Sequence, residues 1–191
     1  MDGKDDIKNY RFNKQSQTMR IFIWILMIFG GGILGYYLDS ILFQNIHTNY
    51  IFHIFSFFTG IFILFLMVKI SKNTGITLAK YGRKGKLERL QTNVLVNQGV
   101  YKYMRHPMHL GLFLFPIGVA FLIASPSFIL MIAPIEIIFI LIMIKLFEEP
   151  EAIKKFGNEY VNYMKQTPMF CFKINCLKEL LKDIPKNNAE K

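Results

Sequence analysis

The sequence predicts an all-α fold: an integral membrane helical bundle of about four transmembrane helices, with a C-terminal helical hairpin and cytoplasmic amphipathic helices. Three observations lead there. Four windows, Ile21–Leu38, Tyr50–Val68, Met108–Ala124 and Ser127–Ile144, are 17 to 19 residues long and almost free of charge, close to the ~20 residues that cross a hydrocarbon core. The chain is 52% hydrophobic, with 19 Phe, and 19% charged. As buried soluble helices, four such windows would leave 191 residues too little polar surface. Lysine and arginine also alternate with the windows: five in residues 1–20, none in 39–49, nine in 69–105, none at the 125–126 turn and nine in 145–191. The positive-inside rule then places both termini and the 69–105 loop in the cytoplasm. The net charge of +10 follows from that topology, with basic loops against anionic headgroups. Nucleic-acid binding is disfavoured, because the charges flank every apolar span.

Residues 1–19 are polar. The run from Ile21 is too long for a cleavable signal peptide and no small-x-small site follows it, so it reads as a first span. Gly31 and Gly35 have the small-xxx-small spacing that lets helices approach closely. A short outer loop, 39–49, leads to the second span, where His53 reads as a packed, hydrogen-bonded histidine. Gly82-Arg83-Lys84-Gly85 is a basic turn without phosphate-loop spacing. The third and fourth spans form a hairpin about Ser125-Pro126-Ser127. Glu136, mid-span and two residues after Pro134, needs a partner or cavity from another helix. Beyond Glu148, Phe156, Tyr160 and Tyr163 fall at i, i+4, i+7 on one helical face. Leu177, Leu180, Leu181 and Ile184 form a second apolar face, expected on the membrane surface. Cys171 and Cys176, on the cytoplasmic side, are expected to stay unpaired. They make a weak metal signal, and no metal site is expected. The whole chain, 1–191, reads as one membrane domain with no internal repeat.

The chemistry concentrates at two places. Counting from Pro126, His106 lies 20 residues back and Glu148 lies 22 forward. Residues equidistant from the turn of an antiparallel helix pair share a depth. Arg105-His106-Pro107 is therefore expected beside Glu148-Glu149 at the foot of the hairpin. Pro107 suits the first helical turn. Arg105 and His106 then sit at a helix N-terminus, where an anion is favoured. With carboxylates of opposite sign nearby, and Tyr101, Tyr160 and Tyr163 as faces for organic cations, the residues point to a zwitterionic or amphiphilic ligand.

The segments LVNQGVYKYMRHPMHLG (Leu95 to Gly111) and EEPEAIKKFGNEYVNYM (Glu148 to Met164), with the apolar hairpin between them, resemble the isoprenylcysteine carboxyl methyltransferase-like family. The likeness covers residues 93–168. It implies a methyltransferase-like core there, S-adenosyl-L-methionine as cofactor, and a lipophilic or small acceptor: a carboxylate, thiol or lipid amine. It places the cofactor contacts at Asn93, Val94, Leu95 and Val96, at Tyr101, at His106, Pro107, Met108 and His109, and at Glu148. Arg105 and His106 are the candidate catalytic residues. The family usually has Tyr where this chain has His109. Members acting on prenylcysteine carry an Arg at the position of Ile144. Lys145, next to it and three residues before Glu148, is the candidate stand-in toward an anionic acceptor. Pro150 is atypical and is expected to kink its helix. Two rivals share these features: a nicotinamide-dependent membrane reductase and a non-catalytic scaffold. The oligomeric state is not encoded in any motif.

Overall fold

A computed structural model describes the backbone of residues 3–84 and 92–182, and the side chains of 22–84 and 92–182. Gly85, Ile184 and the cations of residues 1–20 lie outside the side chains described. Among the described residues there is no strand. The helices are α1 (Gly3–Leu42), α2 (Gln44–His47), α3 (Tyr50–Tyr81), α4 (Pro107–Leu122), α5 (Ala133–Met143), α6 (Glu149–Phe156), α7 (Asn158–Gln166) and α8 (Ile174–Leu181). Among the described residues, three stretches are long and apolar enough to cross a membrane, Phe22–Leu42, Tyr50–Tyr81 and Phe128–Phe156; Pro107–Leu122 is a shorter apolar helix. The expected helical membrane bundle is therefore what forms, and its outward face is apolar: Phe29, Ile33, Phe55, Phe58, Phe62 and Phe65 are all exposed.

The closest packing is antiparallel, between α3 and α4. A Cβ on Gly60 would meet the Leu122 backbone, one on Gly118 would meet Leu64, and one on Gly111 would meet Ile70. The three paired positions advance in opposite directions along the two helices. Missing side chains on alternate partners let the backbones touch. On α1, Gly31 faces Glu136, Phe128 and Ile132, and Gly35 faces Ser125 and Phe128. The small-residue spacing thus serves packing within the chain. Asp39, fully buried, accepts the Ser127 N–H at 2.7 Å, so α1 caps the turn of the hairpin. His53 Nε2 bonds the His47 carbonyl at 2.5 Å, as its structural reading required.

The long C-terminal span is continuous but not uniform. It runs as a π-turn (Phe128–Ile132), α5, a second π-turn (Ile144–Glu148) and α6. Each π-turn contains the residue four before a proline, Leu130 before Pro134 and Leu146 before Pro150. Proline has no N–H to give that carbonyl, and the wider i→i+5 turn absorbs the mismatch. Pro116 in α4 makes no such turn.

Three expectations are corrected. Phe156, Tyr160 and Tyr163 do not share one helix: Gly157, at φ 58°, separates α6 from α7. The i, i+4, i+7 count missed this because a glycine in that region breaks the period. The apolar face of α8 is largely covered by protein. Cys176 and Leu180 join Ile70, Val96, Val100, Tyr101 and Met104 in one core, and Asn73 Nδ2 donates to the Leu180 and Lys182 carbonyls at 3.1 and 3.0 Å. Cys171 and Cys176 form a disulfide, with Cα atoms 6.0 Å apart. The expectation of free thiols rested on compartment. The chain folds back over five residues and brings the pair within bonding range, which also removes them as metal ligands.

Candidate functional site at the foot of the hairpin

Pro107 occupies the first turn of α4, with His106 as the residue before it. Its fixed φ starts the helix and sends Arg105, His106 and His109 toward the end of the long span. Depth counting from the turn holds for His106, whose Nδ1 is 3.9 Å from Glu148 Oε2. His109, one helical turn further on, comes closer still, with Nε2 3.0 Å from Glu148 Oε1.

Two layers make up the cluster. In the inner one, Arg105 donates from Nε and Nη2 to Glu149 Oε1 at 3.0 and 2.5 Å. Its Nη1 reaches the carbonyls of Met164 and Thr167 at 3.2 and 2.6 Å. Both side chains are 9% exposed. The segment after α7 is sewn to the same place by main chain, Arg105 N–H to Pro168 O and His106 N–H to Met169 O. Phe170 then packs against His106 and Phe113. Tyr160 and Tyr163 meet edge to face beneath, and the Tyr163 hydroxyl donates to the Tyr101 carbonyl. Burial, then Glu149, pushes the Tyr160 hydroxyl up to about 12, against Arg105. Burial also raises Tyr101 and Tyr163. These three phenols are neutral supports, each under 9% exposed.

The outer layer is His106, His109 and Glu148. Burial, then His109, lowers His106 to about 4, with Glu148 and Glu149 acting the other way. His106 is thus a neutral imidazole at physiological pH. Its Nε2 has no hydrogen-bond partner and lies 3.5 Å from Glu149 Oε1. His109 and Glu148 line an apolar cleft of about 80 Å³ with Ile23, Trp24, Met27, Leu112, Phe139, Ile140, Met143, Ile144 and Phe147. The cleft lies between α1, α4 and the long span. Among its lining residues there is no lysine or arginine.

The remaining sequence candidates scatter around this cluster. Asn93 is exposed and clamps Lys84, accepting its N–H at 2.8 Å and donating to its carbonyl at 2.9 Å. Val94 and Met108 are half-buried. Val96 and Tyr101 lie in the core under α4. Leu95 lines a separate, polar cavity of about 560 Å³ with Asn97, Lys102, Glu159, Asn162, Tyr163, Gln166 and Thr167. Lys145 is exposed and is not part of the cleft wall. Ile144, its neighbour, is 1% exposed and is part of it. Sequence reasoning missed Trp24 and Met27 of α1. Trp24 is the lone tryptophan, set in an apolar span, which was a signal, but no periodicity named its partner on α4, Phe115.

A family model for phospholipid methyltransferases matches residues 48–159, more than half of the chain. The chain belongs to the phospholipid methyltransferase family. Among curated proteins it is similar to the protein-S-isoprenylcysteine O-methyltransferase of Mus musculus, 31% identical over 87 residues, 42% of this chain and 28% of that protein. The enzyme of the same name from Saccharomyces cerevisiae is 34% identical over 84 residues, 41% of this chain and 32% of the relative. The chain thus aligns with under a third of the length of these relatives. The isoprenylcysteine methyltransferase-like assignment read from Leu95–Gly111 and Glu148–Met164 agrees with both comparisons.

Proposed function

We propose that this member of the phospholipid methyltransferase family is an S-adenosyl-L-methionine-dependent membrane methyltransferase. It acts on a lipophilic or small acceptor at the cytoplasmic face. The observation that carries the reading is the His106–His109–Glu148 cluster, set where an apolar cleft meets a helix N-terminus.

The donor set fits the cofactor's zwitterionic end. Glu148 suits an ammonium or ribose hydroxyl, while the α4 N-terminus suits polar or anionic groups. When bound, the cofactor supplies an electrophilic methyl group on a cationic sulfur. The protein's contribution is alignment and electrostatics. The Arg105–Glu149 clamp fixes the His106 backbone and the foot of the long span. Trp24, Met27 and Phe147 exclude water from the cleft and leave an apolar path for an acyl or prenyl chain from the bilayer.

The wall chemistry also ranks the acceptors. Ile144 lines the cleft at the position where prenylcysteine enzymes carry Arg. A carboxylate acceptor would meet Glu148 there with no lysine or arginine in the wall. An amine or thiol is favoured. A protonated amine loses its proton to the His109–Glu148 pair before its lone pair can attack.

The proposed topology has four crossings with both termini cytoplasmic. A Cys placed at Asn45 should label from outside and one at Asn97 should not; the reverse pattern overturns it. A cytoplasmic location exposes Cys171–Cys176 to reducing conditions, so the same preparation should be assayed for free thiols. The functional test is thermal unfolding in detergent. Stabilisation by S-adenosylhomocysteine supports a methyltransferase. Stabilisation by NADPH alone would transfer the site to a reductase, and neither would leave a scaffold.

A further inference from the structure

We propose that His106, His109 and Glu148 form a binding site for a borderline-soft divalent cation, best matched by zinc, and that the bound cation inhibits by displacing the cofactor. Their ligand atoms all lie within 4.8 Å of one another. Four-coordinate zinc, with ligand bonds near 2.1 Å, sets neighbouring donors roughly 3.3 Å apart. Glu148 reaches His109 Nε2 through Oε1 at 3.0 Å and His106 Nδ1 through Oε2 at 3.9 Å, so side-chain rotations that draw the three donors together by about an ångström would close the set. Two imidazoles and one carboxylate select zinc over magnesium or calcium, which prefer all-oxygen sites. The set is also the three-ligand kind that leaves a fourth position open.

The surroundings supply what such a site needs beyond its ligands. A ligating histidine usually directs its other ring nitrogen at a carboxylate, which fixes its orientation. With His106 Nδ1 on the cation, the buried, partnerless Nε2 faces Glu149 Oε1 at 3.5 Å. Glu149 is in turn held by Arg105. That pair is charge-balanced, so Glu148 contributes the negative charge that the cation meets. Inhibition, unlike binding, rests on the reading of Glu148 as the cofactor's partner.

The test is zinc titration of the full-length chain in detergent, by calorimetry, with magnesium as control. One zinc per chain is expected. Affinity should fall by roughly tenfold or more in His109→Ala and in Glu148→Gln and stay unchanged in His53→Gln, which lies at the other end of the bundle. Saturating S-adenosylhomocysteine should weaken zinc binding. No binding, or equal binding in the parent and both ligand variants, overturns the site. If zinc binds through the three residues while S-adenosylhomocysteine binds nowhere, the metal site stands and the methyltransferase reading falls. If both bind without affecting each other, inhibition is overturned.

Discussion

Arg105–Glu149 and His109–Glu148 join the same two helix ends through adjacent glutamates, yet they differ in burial and in what they are bonded to beyond the pair. Arg105 and Glu149 are nine-tenths buried, balanced in charge, and bonded onward to two main-chain carbonyls. His109 and Glu148 are 18% and 26% exposed and form part of a cleft wall. Both pairs have donor and acceptor at hydrogen-bonding distance, so bond length does not separate the buried pair from the one in the cleft wall. Burial and onward connections do. The difference also reverses a sequence-level habit: the arginine beside a His-Pro motif reads as a ligand-binding cation, but here its guanidinium holds the chain together.

The sharpest way to break this comparison is to remove one partner of the inner pair. Glu149→Gln or Arg105→Met leaves a buried charge without its counter-ion, which typically costs about 3–5 kcal/mol. Either variant should lose most of its folded population or its thermal midpoint in detergent. The double variant Arg105→Met/Glu149→Gln should recover part of the loss, because a buried pair contributes little net stability beyond its own desolvation. Single variants as stable as the parent would show that the inner layer is not a clamp.

Next in size is a pH effect on His106, read with a chelator present. Its folded value near 4 lies below the unfolded 6.5. Above pH 6.5 both states are neutral there and the group contributes nothing to pH dependence. As pH falls from 6.5 toward 4, the unfolded chain takes up a proton that the native one refuses, so stability is lost across that window. The full loss is roughly 3 kcal/mol. His106→Gln should flatten that part of the midpoint-against-pH curve. An unchanged slope would mean His106 titrates normally and the pocket is wetter than its packing implies.

Glu148→Gln sharpens the comparison from the other side. A charge-assisted hydrogen bond contributes about 1.5–3 kcal/mol, so S-adenosylhomocysteine should bind roughly tenfold or more weakly. The ligand-free midpoint should stay close to that of the parent, since Glu148 is partly exposed. Equal ligand affinity would remove Glu148 from the cofactor site.

The legibility of the sequence divides along similar lines. Apolar windows and charge flanks carried the bundle, because membrane solvation acts on every residue of a span. The meeting of Arg105 and His106 with Glu148 and Glu149 was also legible, since helix rise is constant and Pro126 marks the turn. What was not legible depended on breaks in period. Gly157 divides the tyrosine face, and Pro134 and Pro150 insert π-turns whose phase no simple helical count follows. The partner of Arg105 was ambiguous for the same reason: which of two adjacent glutamates points inward is set by the π-turn just before them. Trp24 and the Cys171–Cys176 bond depended on neighbours brought in from elsewhere or by a loop, and neither leaves a periodic trace.

The smallest expected effect belongs to Lys145, and the π-turn explains why. In an α-helix, residues three apart lie on nearly the same face, so Lys145 should accompany Glu148. From Ile144 to Glu148 the helix closes i to i+5 and fits more than four residues into each turn. The residue in phase with Glu148 is then the one four before it. Ile144 accordingly lies in the cleft wall with Glu148, and Lys145 is exposed beside it. A solvent-exposed lysine acting on an anionic acceptor contributes at most about 1 kcal/mol, so Lys145→Ala should raise the acceptor KM or lower kcat by no more than roughly fivefold. S-adenosylhomocysteine affinity should be unchanged. A larger loss would require the turn to rewind to α geometry when an acceptor binds, carrying Lys145 into the cleft. No loss at all would leave Lys145 as a headgroup anchor and leave acceptor choice to Ile144, His109 and the apolar walls.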